Sequence, residues 1–206
     1  MRVFILCTGR SGSAGIIKAC SHIQNFTAGH ETRTKLTGSE KFNYPDNHIE
    51  ADNRLSWFLG TLEEKYGDNP VYFHLKRNKT DTVASFNRRW HSRAGIIRAF
   101  SEGILKTPVE LLSKNDRLKV CEEYYDCVNR NIESFLKNKS KTAVIRLENI
   151  KSDFTEFWKI IGATGDLDAA LHEFDKKHNK STKRKKRSIP YELKLFGLRI
   201  WRIISG

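Results

Sequence analysis

The chain has 206 residues and a formal net charge of +13, with no internal repeat or low-complexity linker. That length supports one domain with a real core, and the charge implies an anionic partner: a nucleotide, a nucleic acid, an acidic glycan or a membrane surface. No apolar run approaches a membrane span, the first residues read as strand rather than signal peptide, and the four cysteines (Cys7, Cys20, Cys121, Cys127) show no CxxC pairing. Reduced thiols and a cytoplasmic setting are expected.

Residues 3–7 (Val-Phe-Ile-Leu-Cys) predict a short buried strand. It breaks into a loop with Gly9, Gly12 and Gly15, then turns helical with Ile16, Cys20 and Ile23 on one face. A strand that turns through small residues into a helix N-terminus makes an anion cradle, because loop amides and the helix dipole both point at the ligand. Arg10 adds a planar fork of donors suited to phosphate or sulfate. The loop is not a Walker A motif: Gly12 is followed by Ser13 and Ala14, and the nearest lysine is Lys18. Parts for a magnesium-nucleotide hydrolase are therefore missing, and a P-loop nucleotide kinase is the weaker alternative.

Residues 23–28 predict a second strand that runs into Gly29-His30-Glu31-Thr32. If this strand lies beside the first, Glu31 stands next to the Arg10 loop, where a carboxylate could accept a substrate proton. The alternatives are a solvated acid or a pair with Arg33. Residues 33–53 are polar and irregular and read as a long excursion, such as a binding lid. Leu55, Phe58, Leu59, Leu62 and Tyr66 mark an amphipathic helix ended by Gly67 and Pro70.

Residues 71–75 predict a strand leading into Lys76-Arg77-Asn78-Lys79, then a helix capped near Thr80 or Asp81. Arg77 at the strand end and Ser85 in the helix form a second candidate anion site. No Asp or Glu ends this strand, as a Walker B strand would require. Residues 91–115, with Arg93 and Arg98, read as a basic lid or insertion. A long helix follows over about residues 115–137, its stripe of Cys121, Tyr124, Val128, Ile132 and Phe135 reading as core. Residues 142–146 predict a further strand before Glu148-Asn149-Ile150, and two short helical faces complete this part. His74 is expected buried in its strand. Residues 176–187 hold eight Lys or Arg. Past Pro190, Phe196, Ile200 and Ile203 share a face. Such a tail docks on the domain or lies on an anionic membrane at its inner face.

Thr8-Gly-Arg-Ser-Gly-Ser13 resembles the 5′-phosphosulfate loop of PAPS-dependent sulfotransferases, in the Arg-Ser-Gly-Ser form of carbohydrate-modifying members. Arg77 to Ser85 resembles their 3′-phosphate segment, an Arg at a strand end with a Ser eight positions later. Arg146-Leu-Glu148-Asn149-Ile150 is similar to a later strand-end element of that family. His178-Asn179-Lys180-Ser181 looks like an Asn-Lys-Ser segment near the cofactor of bacterial members. The resemblance runs in order over residues 2–187. The family's proline two residues after the 3′-site Arg is Lys79 here, and the Lys of cytosolic members' first loop is Arg10. The Arg-Lys-Gly-rich loop of animal cytosolic members is absent. These departures point to the bacterial and carbohydrate-modifying branches.

The resemblance implies an α/β, three-layer P-loop-type fold, with a mostly parallel sheet of about four to five strands between helices. It implies a sulfotransferase-like domain over residues 1–187 and a basic amphipathic helix over 188–206. It implies sulfuryl transfer from PAPS, leaving PAP, to a hydroxyl or amine of a small molecule, saccharide or glycolipid, with no metal and no nucleic-acid partner. Thr8, Gly9, Arg10, Ser11, Gly12, Ser13 and Ala14 would hold the phosphosulfate. Arg77 and Ser85 would hold the 3′-phosphate, and Asn179, Lys180 and Ser181 would lie near the cofactor. Arg10 would stabilise the transition state. Glu31 would take the acceptor proton, with His30 as its rival. The competing reading is a basic module for nucleic acid or membrane surfaces. It accounts for the tail but not for Arg10, Arg77 and Ser85 at strand ends.

Overall fold

The first apolar run becomes β1 (Arg2–Cys7), the central strand of the sheet in a computed structural model that describes residues 1–92 and 95–176. Its side chains alternate between two separate cores. Val3, Ile5 and Cys7 face one, while Phe4 and Leu6 face the other, as the two-residue period of a strand requires. A strand buried on both faces needs a continuous apolar run, which is what a parallel sheet with helices on each side demands.

The chain passes through α1 (Ser13–Cys20) to β2 (Thr27–His30) and β3 (His48–Ala51). It continues through α2 (Leu59–Tyr66), β4 (Val71–Lys76), α3 (Lys79–Arg88) and a one-turn α4 (Ile96–Ala99). The long α5 (Lys114–Leu136) leads to β5 (Thr142–Arg146), followed by α6 (Ile150–Ile160) and α7 (Leu167–His172). The sheet order is β2-β3-β1-β4-β5, and every pairing is parallel. The α/β three-layer expectation holds. Residues of α1, α6 and α7 pack on one face of the sheet, and residues of α2, α3 and α5 on the other. Connections leave β1 toward one edge first and reach β4 on its other side later. The end of β1 is therefore the switch point at which such sheets bind ligands.

The main correction concerns residues 33–53. They are not a free excursion, because they contain β3, which inserts between β1 and β2. The strand was hidden by its polarity: His48 and Glu50 occupy alternate positions and are buried nonetheless. Glu50 is fully buried, and its carboxylate accepts from Thr32 N at 2.8 Å, Thr32 Oγ1 at 2.6 Å and His48 Nε2 at 3.0 Å. A buried carboxylate with this many partners is tolerated, whereas an unpaired one would cost several kcal/mol.

Boundaries moved for local reasons. The second strand starts at Thr27 rather than Ile23, which instead makes an isolated antiparallel bridge to Gly165. The helix after β4 is capped two residues earlier than expected, by Asn78, whose side chain accepts from Asp81 N. The helical run from Leu55 is split into a 3₁₀ turn (Asn53–Trp57) and α2. Arg98 does not present a free charge, because Glu102 and Glu110 pair with it at 2.8 and 2.9 Å. The proposed boundary at 187, the helix over 188–206 and Arg93 lie outside the described residues.

His74 is buried on β4, as expected. Asn129 uses its amide to donate to Tyr125 O, which leaves Asn129 Oδ1 to accept from His74 Nε2 at 2.9 Å. Burial pushes this imidazole down to about 4, partly opposed by the Asn129 bond. A histidine must therefore stay neutral in the folded state while it protonates readily in the unfolded one. Stability from this source is complete above the unfolded value near 6.5 and is lost as pH falls from there toward 4. The expected loss is about 3–4 kcal/mol, since the value falls from 6.5 to about 4 and each tenfold change in proton affinity is worth about 1.4 kcal/mol. Urea unfolding of the wild type and of His74→Gln across this pH range checks it: the wild-type curve should steepen below pH 6.5 and the variant's should not.

Candidate active site

Three of the five loop residues between β1 and α1 have positive φ. Gly9, Arg10 and Gly12 have φ of 80°, 59° and 100°. Glycine takes such angles freely, but Arg10 does so at a cost of order 1 kcal/mol, which the surroundings must hold in place. They do so from several sides. Tyr124 Oη on α5 donates to Thr8 O at 2.7 Å, and Ser56 Oγ donates to Cys7 O at 3.1 Å. Asn53 packs directly on Gly9, and Leu147 lies over Gly12.

Gly12 serves as N-cap of α1, and the N–H groups of Gly15 and Ile16 both return to Gly12 O, at 2.9 and 3.2 Å. The amides of Ser13 and Ala14 precede these donors, so they face out of the helix end, where the dipole favours an anion. Ser11 Oγ is buried and has no oxygen or nitrogen partner among the described residues.

Two strand ends meet at this loop. Arg10 Nε donates to Ser85 Oγ at 3.0 Å, and Arg77 Nη1 donates to Arg10 O at 3.1 Å. Arg77, Ser85 and Arg10, separated in sequence, thus form one constellation. Arg77 is steered by Tyr125 Oη, which donates to Arg77 O at 2.8 Å, and by a looser pair with Asp81 at 3.6 Å. The Glu148 carboxylate accepts from Asn78 N at 2.7 Å, tying the end of β5 to the start of α3.

The local charge is unbalanced. Burial, then the like charges of Arg89, Arg77 and Arg88, push Arg10 below its ordinary value. No acidic side chain among the described residues forms an ion pair with Arg10. Concentrated positive charge, outward amides and a buried serine hydroxyl together suit a ligand with several anionic oxygens.

On the other side of the loop, His30 and Glu31 part company. His30 Nε2 lies 2.9 Å from Ser13 Oγ, so it is His30 that reaches the loop. Glu31, with φ of 54°, is one strand further from β1 than a direct β1–β2 pairing would have placed it. Its partner is neither solvent alone nor Arg33 but Arg54, at 3.0 Å. Arg54 escaped sequence reasoning, as did Asn53 and Tyr124. Asn53 lies at the end of the segment read as a lid, Arg54 falls between that segment and the helix expected from Leu55, and Tyr124 sits in a helical stripe indistinguishable from plain core. Thr8, Gly9 and Ser11 lie in the loop, and Ala14 lies in the first turn of α1. Asn179, Lys180 and Ser181 lie outside the described residues, and no group of three or more His, Cys, Asp or Glu among the described residues is arranged to hold a metal.

This architecture matches a solved structure, that of mouse sulfotransferase SULT7A1 complexed with PAP, with a TM-score of 0.57 at 14% identity. The chain has the sulfotransferase fold. The match covers 84% of this chain and 63% of that one, so the mouse protein has substantial further structure. No protein-family model matches the chain, and no curated protein matches it in sequence.

Gly12 tests the loop geometry. A Cβ there would meet Leu147 Cδ1 at 2.6 Å and force a side chain into φ 100°. Gly12→Ala is expected to cost about 1–2 kcal/mol of stability, measured by urea unfolding, whereas Gly60→Ala, in open space within α2, should be neutral or stabilising.

Proposed function

We propose that the chain transfers a sulfuryl group from PAPS to a hydroxyl or amine, on a saccharide or glycolipid of the kind handled by carbohydrate-modifying sulfotransferases. The observation that carries this reading is the meeting of Arg10, Ser85 and Arg77 at the end of β1, with Arg10 Nε on Ser85 Oγ at 3.0 Å. A nucleotide bearing both a 5′-phosphosulfate and a 3′-phosphate matches two anion sites on adjacent strand ends. The PAP bound by the mouse neighbour supports the same ligand class.

PAPS, when bound, supplies an activated sulfuryl group whose leaving group is a phosphate oxygen. The residues act around it. Amides of Ser11, Gly12, Ser13 and Ala14, with Arg10, bind the 5′-side oxygens and stabilise charge that grows there during transfer. Arg77 and Ser85 bind the 3′-phosphate, and this pair distinguishes PAPS from ATP or ADP. Glu31 takes the proton of the acceptor hydroxyl, with Arg54 fixing the direction of its carboxylate. His30, bonded to Ser13, orients that serine hydroxyl and is the second candidate for the proton. Cytoplasmic residence is part of this reading. Among the described residues no helix is long and apolar enough to cross a membrane.

Calorimetric titration with PAP and with ADP, both without magnesium, tests the ligand. PAP should bind in the micromolar range and ADP much more weakly, and Arg77→Ala and Arg10→Ala should each weaken PAP by about tenfold or more. Equal or absent binding of the two nucleotides would remove the transfer reading.

The proton acceptor has its own test. Glu31→Gln should lower turnover by about a hundredfold or more while leaving PAP affinity unchanged. Arg54→Ala should lower turnover less, and Arg54→Lys should restore part of it. If His30→Asn abolishes turnover and Glu31→Gln does not, the two roles are exchanged.

A further inference from the structure

A cavity of about 870 Å³ lies between the segment after β2 and helix α2, away from the Arg10 constellation. We propose that this cavity is a subsite for an acidic saccharide, the portion of the acceptor beyond the reacting group. The proposal rests on the transfer reading above and names the class of acceptor that it leaves open.

Charge is the first argument. Lys35, Lys41 and Lys65 line the cavity against a single carboxylate, Glu64. Lys41 is held in place, donating to Thr34 O at 3.1 Å and lying 5.2 Å from the centre of the Phe58 ring. Lys35 and Lys65 form no ion pair with an acidic side chain among the described residues. Lys65 Nζ lies 5.7 Å from the centre of the Tyr66 ring. Three lysines around one space favour an occupant carrying carboxylates or sulfates.

The second argument is the mixture of surfaces. Phe58 and Leu36 are exposed, at 37% and 42%, although large apolar side chains ordinarily gain by burial. Around them stand the hydroxyls of Thr37, Ser39 and Thr61. A sugar ring has an apolar C–H face for an aromatic ring and an equatorial belt of hydroxyls for Thr and Ser. A lipid chain would leave the hydroxyls unused, and an acidic peptide would leave the apolar face unused.

The third argument is placement. The cavity wall begins at Thr34, three residues after Glu31 in the chain. Thr34 Oγ1 donates at 2.8 Å to Asp52 Oδ2, at the end of β3. The same Asp52 accepts from the backbone N–H of Arg54, the residue that pairs with Glu31. One short network therefore joins the cavity wall to the proposed proton acceptor. The volume lies within the usual range for ligand sites, about 300–1,000 Å³.

The test is calorimetric titration of the full chain, with and without saturating PAP. The probes are a tetrasaccharide of alternating glucuronate and N-acetylglucosamine, its sulfated counterpart, neutral cellotetraose and hexaglutamate. At least one acidic saccharide should bind, with cellotetraose and hexaglutamate far weaker. The double variant Lys35→Ala/Lys65→Ala should weaken that binding about tenfold, from two exposed charge contacts, and Phe58→Ala should weaken it too. Both variants should keep wild-type PAP affinity, which also reports an intact fold. The proposal is overturned if neither acidic saccharide binds above cellotetraose, if hexaglutamate binds equally, or if the lysine variant binds as the wild type does. Loss of PAP binding by the wild type, with saccharide binding retained, would instead remove the transfer reading and leave the subsite standing.

Discussion

The hydrogen bond from Tyr124 Oη to Thr8 O anchors the loop on which the site is built. Four arginines of like charge surround that loop, and Arg10 among them is half-buried. Without a bound anion their mutual repulsion acts to open the site. The restraint is supplied by neutral contacts: the tyrosine bond, the Ser56 bond to Cys7 O, Asn53 against Gly9 and Leu147 over Gly12. Such contacts are insensitive to salt, whereas the repulsion they oppose is screened by it. The loop can thus hold its shape with no ligand present, which preorganised binding requires.

The two sides of the loop do different work. On the β4 side stand guanidinium and hydroxyl groups, which suit the anion binding proposed above. On the β3 and β2 side stand carboxylates and an imidazole, which suit the proposed proton transfer. Insertion of β3 makes this division, because it sets Glu31 apart from the arginines and supplies Arg54 as its partner. Had β2 paired directly with β1, Glu31 would have stood where Arg10 could neutralise it.

Much of this was legible in the residues. The strands β1 and β4 are mostly apolar runs, β4 broken only by His74 before its final Lys76, β5 is rich in β-branched residues, and α5 carries a helical stripe over 23 residues, so their types are readable. The loop and the Arg77–Ser85 spacing were readable because glycine, arginine and serine at strand ends have few other uses. β3 was not, since its four residues offer only Ile49 and Ala51 as apolar signal, alternating with His48 and Glu50. Their burial depends on Thr32 and Thr27, partners that only the folded chain brings near. Arg54 was missed for the same reason: its meaning lies in Glu31, on another strand end. The apparent basic insertion failed in the opposite sense, because Arg98 is neutralised by its own helix and by Glu110.

The anchoring tyrosine lies 116 residues after the threonine it holds. Glu148 lies 70 residues after Asn78, and Leu147 closes over Gly12 from the far end of β5. The anion loop is therefore among the first parts of the chain to be made and among the last to be finished. Contacts of such separation form slowly, because a long loop must close before they contribute. During synthesis the growing polypeptide passes through most of its length with the glycines present and their supports missing. The shape of the loop is secured only when β5 joins the sheet.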